Sequence, residues 1–374
     1  MADNNENKVL NVPHLRFPEF SGEWNKYTIN DLATVVGGGT PDTTVKSYWG
    51  GDIQWFTPSE IGKNKYVDFS KRTITRDGLD NSSAKLLPLH TILLSFRATV
   101  GECSIASNEC TTNQGFQSLI AKQCNIDFLY YLIQTKKKDL IRNACGSTFL
   151  EISANEIRKI KVAVPVQNEQ EQIAKLLSLI DERIATQNKI IEKLQSLIKG
   201  LAAQLTQSGT PNIRLCDCLE CHSSTLQENC VSVTGSYPVY GATGLIGYTN
   251  NYAYNGESIL IVKDGSGVGS LSYVNDHFSV IGTLNYLTAK ENYSILYLYY
   301  ALMAFNFTPY ITGMAIPHIY FKDYGKAKLF YPSIEKRIRI ASLLHNIEQK
   351  LVVEQNLVIS LSAQKSYLLR MLFI

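Results

Sequence analysis

Residues 165–205 read PVQNEQEQIAKLLSLIDERIATQNKIIEKLQSLIKGLAAQL, and residues 332–372 read PSIEKRIRIASLLHNIEQKLVVEQNLVISLSAQKSYLLRML. After its leading proline, each stretch places a mostly apolar residue alternately four and three positions further on. These positions are Ile173, Leu177, Ile180, Ile184, Gln187, Ile191, Leu194, Ile198, Leu201 and Leu205, then Ile340, Leu344, Ile347, Leu351, Glu354, Val358, Leu361, Lys365, Leu368 and Leu372. A 3.5-residue period predicts a coiled-coil seam.

The two stretches belong to a longer internal repeat. The same offset of 167 positions separates Pro165 from Pro332 and Ile173 from Ile340. Weaker sequence matches precede each stretch. Residues 129–132 (LYYL) correspond to 298–301 (LYYA), Gly146 corresponds to Gly313, and residues 121–122 correspond to 289–290. The chain is therefore predicted to contain two copies of a unit that consists of one globular segment and one helical arm.

The predicted fold class is α/β, with two globular domains separated by an antiparallel two-helix coiled coil and a pseudo-twofold internal repeat. The boundaries are 1–164 and 208–331 for the domains, and 165–207 and 332–374 for the arms. Strand-like runs lie at 91–96, 116–121, 159–164, 258–262 and 285–288, and helices are predicted at 127–143 and 295–305. An arm of forty residues is about 60 Å long.

Three polar residues interrupt the seams. Gln187 and Glu354 lie near the middle of their arms, so antiparallel pairing is expected to bring them face to face. A buried polar pair of this kind fixes register and orientation; the alternative is exposure at an imperfect seam position. Lys365 lies near the end of its arm, where we expect its long side chain to reach solvent.

Composition indicates a globular protein without a strong charge signature. The chain has a net charge of +3 and eight cysteines. Residues 21–161 carry 17 Lys and Arg against 14 Asp and Glu, whereas residues 210–331 carry 6 against 8. The polar start lacks a signal peptide and no apolar run is long enough for a membrane span, so reduced thiols and a cytoplasmic location are expected.

Catalytic motifs are missing from the sequence. It contains no Asn/Asp-Pro-Pro-aromatic motif of base methylation and no GxxxxGK[ST] phosphate loop. Residues 264–269 (DGSGVG) follow a strand-like run but precede no helix pattern, which favours a hairpin turn over a dinucleotide site. These observations argue against a stand-alone methyltransferase or nuclease.

A cluster of thiols raises the alternative of a zinc site. Cys216, Cys218, Cys221 and His222, with Cys230 beyond, have ligand types that bind zinc. The spacing is not that of a paired Cys-x-x-Cys knuckle, and small buried thiols are the ordinary alternative. We therefore predict no metal site.

Several motifs, in this order, resemble the specificity subunit of type I restriction–modification enzymes. The lead at 13–20 (PHLRFPEF) with Trp24, then 38–41 (GGTP), 53–59 (IQWFTPS) and 112–116 (TNQGF), are typical of its first target-recognition domain. Residues 169–173 (EQEQI) look like its conserved arm, and 237–244 (YPVYGATG) with 264–269 resemble another recognition-domain type. The second arm departs from the pattern, with 335–339 (EKRIR) in place of the glutamate–glutamine signature.

The resemblance implies a non-catalytic subunit that binds double-stranded DNA. Each recognition domain would contact half of a bipartite site, and the arms would set the spacer and dock methyltransferase subunits. S-adenosylmethionine, ATP and Mg²⁺ would belong to those subunits and to the translocase-endonuclease. The candidate DNA-binding residues are polar loop residues able to contact bases or phosphates: Gln54, Thr57, Ser59, Lys63, Lys65, Arg97, Tyr240, Thr243, Tyr248, Lys263 and Ser266. A coiled-coil scaffold without a DNA role is the remaining alternative.

Overall fold

The computed structural model of the chain describes residues 11–97, 99–142, 144 and 152–374. The chain forms two compact units. Unit 1 contains the chain up to Thr186 together with Leu357–Ile374, and unit 2 contains Gln187–Asn356. Asn143, the predicted end of one helix, and Gly146, one of the repeat matches, lie outside the described residues.

Unit 1 contains two sheets, a two-stranded pair and several helices. Its elements are β1 (Asn25–Thr28), α1 (Ile29–Leu32), β2 (Ala33–Gly37), β3 (Trp49–Phe56), β4 (Tyr66–Val67), β5 (Arg72–Ile74), α2 (Arg76–Asp80), β6 (Ile92–Leu94), β7 (Cys103–Ala106), β8 (Cys110–Thr112), β9 (Gln117–Ala121), α3 (Ile126–Thr135), α4 (Lys137–Arg142), α5 (Ala154–Lys159), β10 (Lys161–Val164) and the first half of α6 (Gln167–Thr206). The sheets have strand orders β2-β9-β6-β7-β4 and β5-β3-β8, and β1 pairs with β10.

Unit 2 is built around one larger sheet. Its elements are β11 (Ile213–Arg214), α7 (Leu215–Cys218), β12 (Leu219–Ser223), β13 (Tyr237–Gly241), β14 (Gly244–Thr249), β15 (Tyr254–Val262), β16 (Leu271–Val280), β17 (Leu284–Ala289), α8 (Ile295–Met303), α9 (Phe321–Tyr324), β18 (Lys328–Leu329) and most of α10 (Ile334–Met371). The strand order is β12-β17-β15-β16-β13-β14, and β11 pairs with β18.

The strand pairings confirm the internal repeat. In unit 1, β1 leads through the single-turn helix α1 into β2, which pairs with β9 before helix α3. In unit 2, β11 leads through α7 into β12, which pairs with β17 before helix α8. The strand before each long helix, β10 or β18, pairs antiparallel with the first strand of its segment. The predicted single helix over 127–143 is instead divided into α3 and α4 at Lys136.

The long helices confirm the seam. All twenty seam positions are buried or half-buried, whereas the positions between them in the middle of α6, such as Glu182, Arg183, Asn188 and Lys189, are exposed. This alternation is expected when two helices bury a narrow stripe against each other.

The long helices are antiparallel in each unit. In unit 1, the beginning of α6 shares a core with the end of α10; the residues are Ile173, Leu177, Ile180, Leu368, Leu372 and Phe373. In unit 2, the end of α6 shares a core with the beginning of α10 through Ala202, Ile340 and Leu344. Both clusters also contain the helix of the globular segment, α3 or α8, so each segment packs directly on the helix pair.

Candidate nucleic-acid interface and the helix junctions

Three candidates of the first segment lie on β3 or in the turn that follows it. The Gln54 side-chain oxygen accepts hydrogen bonds from Ser70 N at 2.7 Å and Ser70 Oγ at 3.0 Å. The Thr57 hydroxyl donates to Glu60 Oε2 at 2.6 Å and thereby caps the turn. Ser59 is exposed. Gln54 and Thr57 thus already have internal partners, which argues against their contacting bases.

The basic candidates of the first segment differ in their surroundings. Lys63 and Arg97 are exposed. The Lys65 side chain is 9% exposed, and its Nζ lies 2.7 Å from Asp127 Oδ1 and donates to Ser178 Oγ at 2.6 Å. Since the Lys65 charge is neutralised inside the unit, Lys63 is the better phosphate contact of the two.

Two candidates of the second segment bond to the loop between β16 and β17. Tyr240 and Thr243 lie at the β13–β14 hairpin, and the Tyr240 carbonyl accepts a hydrogen bond from Ile281 N at 3.0 Å. Lys263 and Ser266 lie in the turn that precedes β16, and Lys263 N donates to the Thr283 carbonyl at 3.0 Å. Tyr248 lies on β14, opposite Pro238. The backbones of Tyr240 and Lys263 therefore lie close together, although the two residues are far apart in the chain.

The DGSGVG stretch is a turn, as predicted. It connects the antiparallel strands β15 and β16. Gly265 and Gly269 have φ angles of +98° and +85°, a conformation that favours glycine. These glycines therefore serve the hairpin.

The sequence interpretation missed an arginine stacked on tryptophan. The Arg72 guanidinium carbon lies 3.6 Å from the centroid of the Trp49 ring, and Trp49 meets Trp55 edge-on at 5.0 Å. Arg72 is exposed on the edge strand β5, and none of the ion pairs within the described residues involves it. A stacked guanidinium is rigid and presents its N–H groups in one plane. The even spacing of the two tryptophans, which favours one face of a strand, was the available signal.

The first two residues of the glutamate–glutamine signature, Glu169 and Gln170, lie in the interior of unit 1. Glu169 is fully buried and accepts hydrogen bonds from Arg16 Nε at 2.8 Å, Arg16 Nη2 at 2.7 Å and Trp24 Nε1 at 3.2 Å. Gln170 Nε2 donates to the Pro165 carbonyl at 2.9 Å, and its Oε1 accepts from Asn125 N at 3.0 Å. The signature fastens α6 to the N-terminal lead and to the beginning of α3.

At the position of Gln170, the second arm makes comparable contacts with a different residue. Arg337, the counterpart of Gln170, donates from Nη1 to the Pro332 carbonyl at 2.8 Å and stacks on Tyr331 at 4.2 Å. The Tyr331 hydroxyl accepts from Ser294 N at 2.8 Å, and Ser294 caps α8 as Asn125 caps α3. The departure at Arg337 therefore changes a contact inside the unit.

The polar seam residues lie in defined surroundings. Gln187 is 4% exposed, and Glu354 forms an ion pair with Lys350 of its own helix at 3.4 Å. Their mutual pairing stays a prediction. The expectation that Lys365 reaches solvent is wrong. Its Nζ lies 2.7 Å from Asp181 Oδ1, and its side chain is 18% exposed. The Asp181 carboxylate on α6 forms an ion pair with the ammonium group and keeps it between the helices.

The cysteines of the candidate zinc cluster lie on more than one element. Cys216 and Cys218 lie on the single-turn helix α7, and Cys221 lies on β12. Burial raises the pKa of Cys218 to about 12 and that of Cys221 to about 11, which favours neutral thiols. Within the described part of the chain, no group of three or more His, Cys, Asp or Glu residues is arranged to hold a metal.

Comparison with known proteins defines the class. The family model described as type I restriction modification DNA specificity domain matches residues 21–196 and 213–361. The chain therefore belongs to the family of type I restriction–modification DNA specificity subunits. Such a subunit is the non-catalytic part of the restriction enzyme complex, and no cofactor of its own is known for the family.

Two curated relatives differ in their identity to this chain and in how much of it they match. The MjaIX specificity subunit of Methanocaldococcus jannaschii is 39% identical over 183 residues, which are 46% of this chain and 42% of that protein. The EcoprrI specificity subunit of Escherichia coli is 25% identical over 361 residues, 87% of each chain. The similarity to the first thus spans less than half of that relative, whereas the second is matched over most of its length.

Solved structures share the fold. The S subunit from M. genitalium superposes with a TM-score of 0.66 at 19% identity, over 97% of this chain and 99% of that one. A chain from a study of complex assembly and conformational transition of the type I R-M system gives a TM-score of 0.54 at 14% identity, over 96% and 98%. Among the described residues, no helix is both long and apolar enough to cross a membrane.

Proposed function

We propose that each globular segment contacts one half of a bipartite DNA site and that the two arms set the number of unread base pairs between the halves. The observation that carries this proposal is the duplicated unit, a domain followed by an arm, with the long helices antiparallel in each copy. The recognition domains are then residues 1–164 and 208–331, and the arms are 165–207 and 332–374.

In this proposal, the first domain holds DNA through exposed basic residues around its three-stranded sheet. Residues 44–76 contain six Lys and Arg against three Asp and Glu. Arg72 and Lys63 are exposed within this range, and Arg72 is pre-oriented by Trp49. Phosphate contacts require such side chains, whereas base contacts specify sequence. We propose Ser59 and Thr243, both exposed, as the better base-contact candidates of the original set.

We further propose that two modification subunits dock on the arms and that restriction subunits join that assembly in the cytoplasm. S-adenosylmethionine, ATP and Mg²⁺ would bind to those partners. In unit 2, helix α10 exposes Ile338 at 60% and Val353 at 64%, and their counterparts in the first arm are Glu171 and Thr186. Exposed apolar side chains on a helix suit contact with a partner. Val353→Ser should weaken co-purification of the modification subunit, and unchanged co-purification would count against docking there.

Methylome sequencing of cells that express this subunit with its partners tests the main proposal. We expect methylation at an asymmetric motif with two specified halves and a fixed gap. Replacing residues 21–161 with the equivalent segment of a related subunit should change one half only. Deleting one heptad from the middle of both arms should shorten the gap. A continuous motif, or a gap unaffected by the paired deletion, would overturn the proposal.

A further inference from the structure

Each unit contains a tyrosine–carboxylate contact between its globular segment and its arm. Asp181 on α6 and Glu348 on α10 are 167 positions apart and so occupy the same place in the two arms. The Tyr131 hydroxyl of α3 donates to Asp181 Oδ2 at 2.7 Å. The Tyr300 hydroxyl of α8 donates to Glu348 Oε2 at 2.7 Å. We call these two contacts the latches.

The latch of unit 1 joins four parts of the structure. Asp181 also pairs with Lys365 of α10 at 2.7 Å. Lys65, in the segment leading into β4, donates to Ser178 of α6 at 2.6 Å. The ammonium groups of Lys65 and Lys365 lie 5.0 Å and 5.4 Å from the centroid of the Tyr131 ring. The latch therefore connects the sheet edge, α3 and both long helices.

The latch of unit 2 uses hydroxyl groups where unit 1 uses lysine. Tyr299, the neighbour of Tyr300, donates to Glu348 Oε1 at 2.9 Å, so both carboxylate oxygens accept a tyrosine. The first-arm counterpart of Lys365 is Ile198, which is buried. Unit 2 thus keeps the tyrosine–carboxylate contact while the lysine is missing.

Directionality distinguishes the latches from the contacts around them. Much of the remaining contact between each domain and its arm is apolar, as in the packing of Ile173 and Leu177 in unit 1. Apolar burial has no preferred direction, so it tolerates small rotations of a domain on a helix. A hydrogen bond to a carboxylate is short and angle-dependent, and it is stronger than a neutral one.

We propose that the latches are positioning contacts: they fix the angle between each recognition domain and its arm, and thereby the spacer length that the complex accepts. This inference rests on the proposed function, because spacer length has meaning only for a bipartite site. The residues concerned are Tyr131 and Asp181 in unit 1 and Tyr299, Tyr300 and Glu348 in unit 2. None of them needs to contact DNA.

The test uses the full complex with its modification subunits and removes hydroxyl groups only. Tyr131→Phe and the double change Tyr299→Phe with Tyr300→Phe are compared with the unaltered complex on targets of native spacer and of one extra base pair. We expect the same half-sites but a preference for the native spacer reduced roughly fivefold, as loss of one or two charge-assisted hydrogen bonds implies.

Matched controls remove tyrosine hydroxyls that do not join a domain to an arm, one on the buried Tyr297 and one on the exposed Tyr66. Tyr297→Phe loses a hydrogen bond to the Phe330 carbonyl, and Tyr66→Phe loses one to Asp127, which lies on α3 and not on an arm. The controls should keep the native spacer preference. If the latch variants also keep it, or if the controls relax it equally, the inference is overturned. An unaltered complex without a bipartite motif would instead contradict the proposed function.

A second measurement is independent of DNA. Spectroscopic labels introduced as non-natural amino acids at Val352 on α10 and Leu245 on β14, both exposed residues of unit 2, report the distance between arm and domain. The distance distribution should broaden with Tyr299→Phe and Tyr300→Phe combined and stay narrow with Tyr297→Phe. An unchanged distribution in the latch variant would overturn the inference even if no motif were found.

Discussion

Arg16 holds Glu169 through two parallel hydrogen bonds, from Nε to Oε1 at 2.8 Å and from Nη2 to Oε2 at 2.7 Å. The Glu169 side chain is fully buried, and its partner comes from a lead segment 153 positions earlier in the chain. This ion pair, buried on the glutamate side and partly exposed on the arginine side, binds the N-terminal lead to the base of the first arm.

Replacing Glu169 with glutamine should therefore destabilise unit 1. The glutamine side chain keeps the shape of glutamate but is neutral, and its NH2 group takes the place of one carboxylate oxygen. The Arg16 guanidinium therefore loses its ion-pair partner. We expect a loss of about 3–5 kcal/mol in the free energy of unfolding, measured by urea denaturation. Glu171→Gln, at an exposed position two residues on, is the control and should cost less than about 0.5 kcal/mol. Equal effects of the two changes would contradict the structural role.

Arg337 occupies the position in the second arm that Gln170 occupies in the first, so one residue can be replaced by the other. Arg337→Gln installs the residue of the first arm, which can still donate to the Pro332 carbonyl but loses the stacking on Tyr331. We expect a cost of about 0.5–1 kcal/mol. Arg337→Ala also leaves the carbonyl without its donor, so its cost should rise by about 1–3 kcal/mol. Thermal and urea unfolding measure both, and glutamine as costly as alanine would refute the equivalence of the two junctions.

Two neighbouring lysines should behave differently in DNA binding. Lys63→Ala removes an exposed charge, so the slope of log K against log salt should fall by about 0.9 if one phosphate contact is lost. Lys65→Ala leaves Asp127 without its cation and should lower stability by about 1–3 kcal/mol instead. Binding titrations over a range of salt concentrations, paired with denaturation, separate the two effects. A reduced salt slope for Lys65→Ala without loss of stability would reverse the assignment.

Arg72 should act as an oriented contact to the DNA backbone. Arg72→Gln is expected to lower the salt slope by about 0.9. Arg72→Lys should retain the slope but bind several-fold more weakly, because an ammonium group neither stacks flat on Trp49 nor forms two parallel hydrogen bonds. Arg142→Gln, outside residues 44–76 and with its charge paired to Asp139 at 3.4 Å, serves as the control. An unaltered slope for Arg72→Gln would remove this residue from the interface.

Stability should fall at alkaline pH. Burial raises the pKa of Cys103 from 9.0 to about 12, so the folded state keeps a proton that the unfolded chain releases. The stability from this thiol is complete below pH 9 and is lost as pH rises towards 12, at about 1.4 kcal/mol per pH unit. Denaturation at pH 8.5, 9.5 and 10.5 should show a smaller pH dependence for Cys103→Ala. Cys230→Ala, at an exposed site, should keep the original dependence.

Some candidate site residues could not be evaluated from the sequence because their partners lie far away in the chain. Lys65 resembles Lys63 in sequence, but Ser178 and Asp127 occupy its ammonium group. Gln54 resembles a base reader, but Ser70 occupies its oxygen. Polarity can be read from one position, whereas free hydrogen-bonding capacity depends on tertiary neighbours.

The sequence by itself determined the two long helices, their seam and the duplication of the domain-plus-arm unit. Helical periodicity is a local property that repeats along the chain, so counting residues recovers it. Only the tertiary structure decided that Glu169 and Gln170 make internal contacts and that Lys365 pairs with Asp181. Those outcomes depend on groups brought together by folding, across separations that no local pattern encodes.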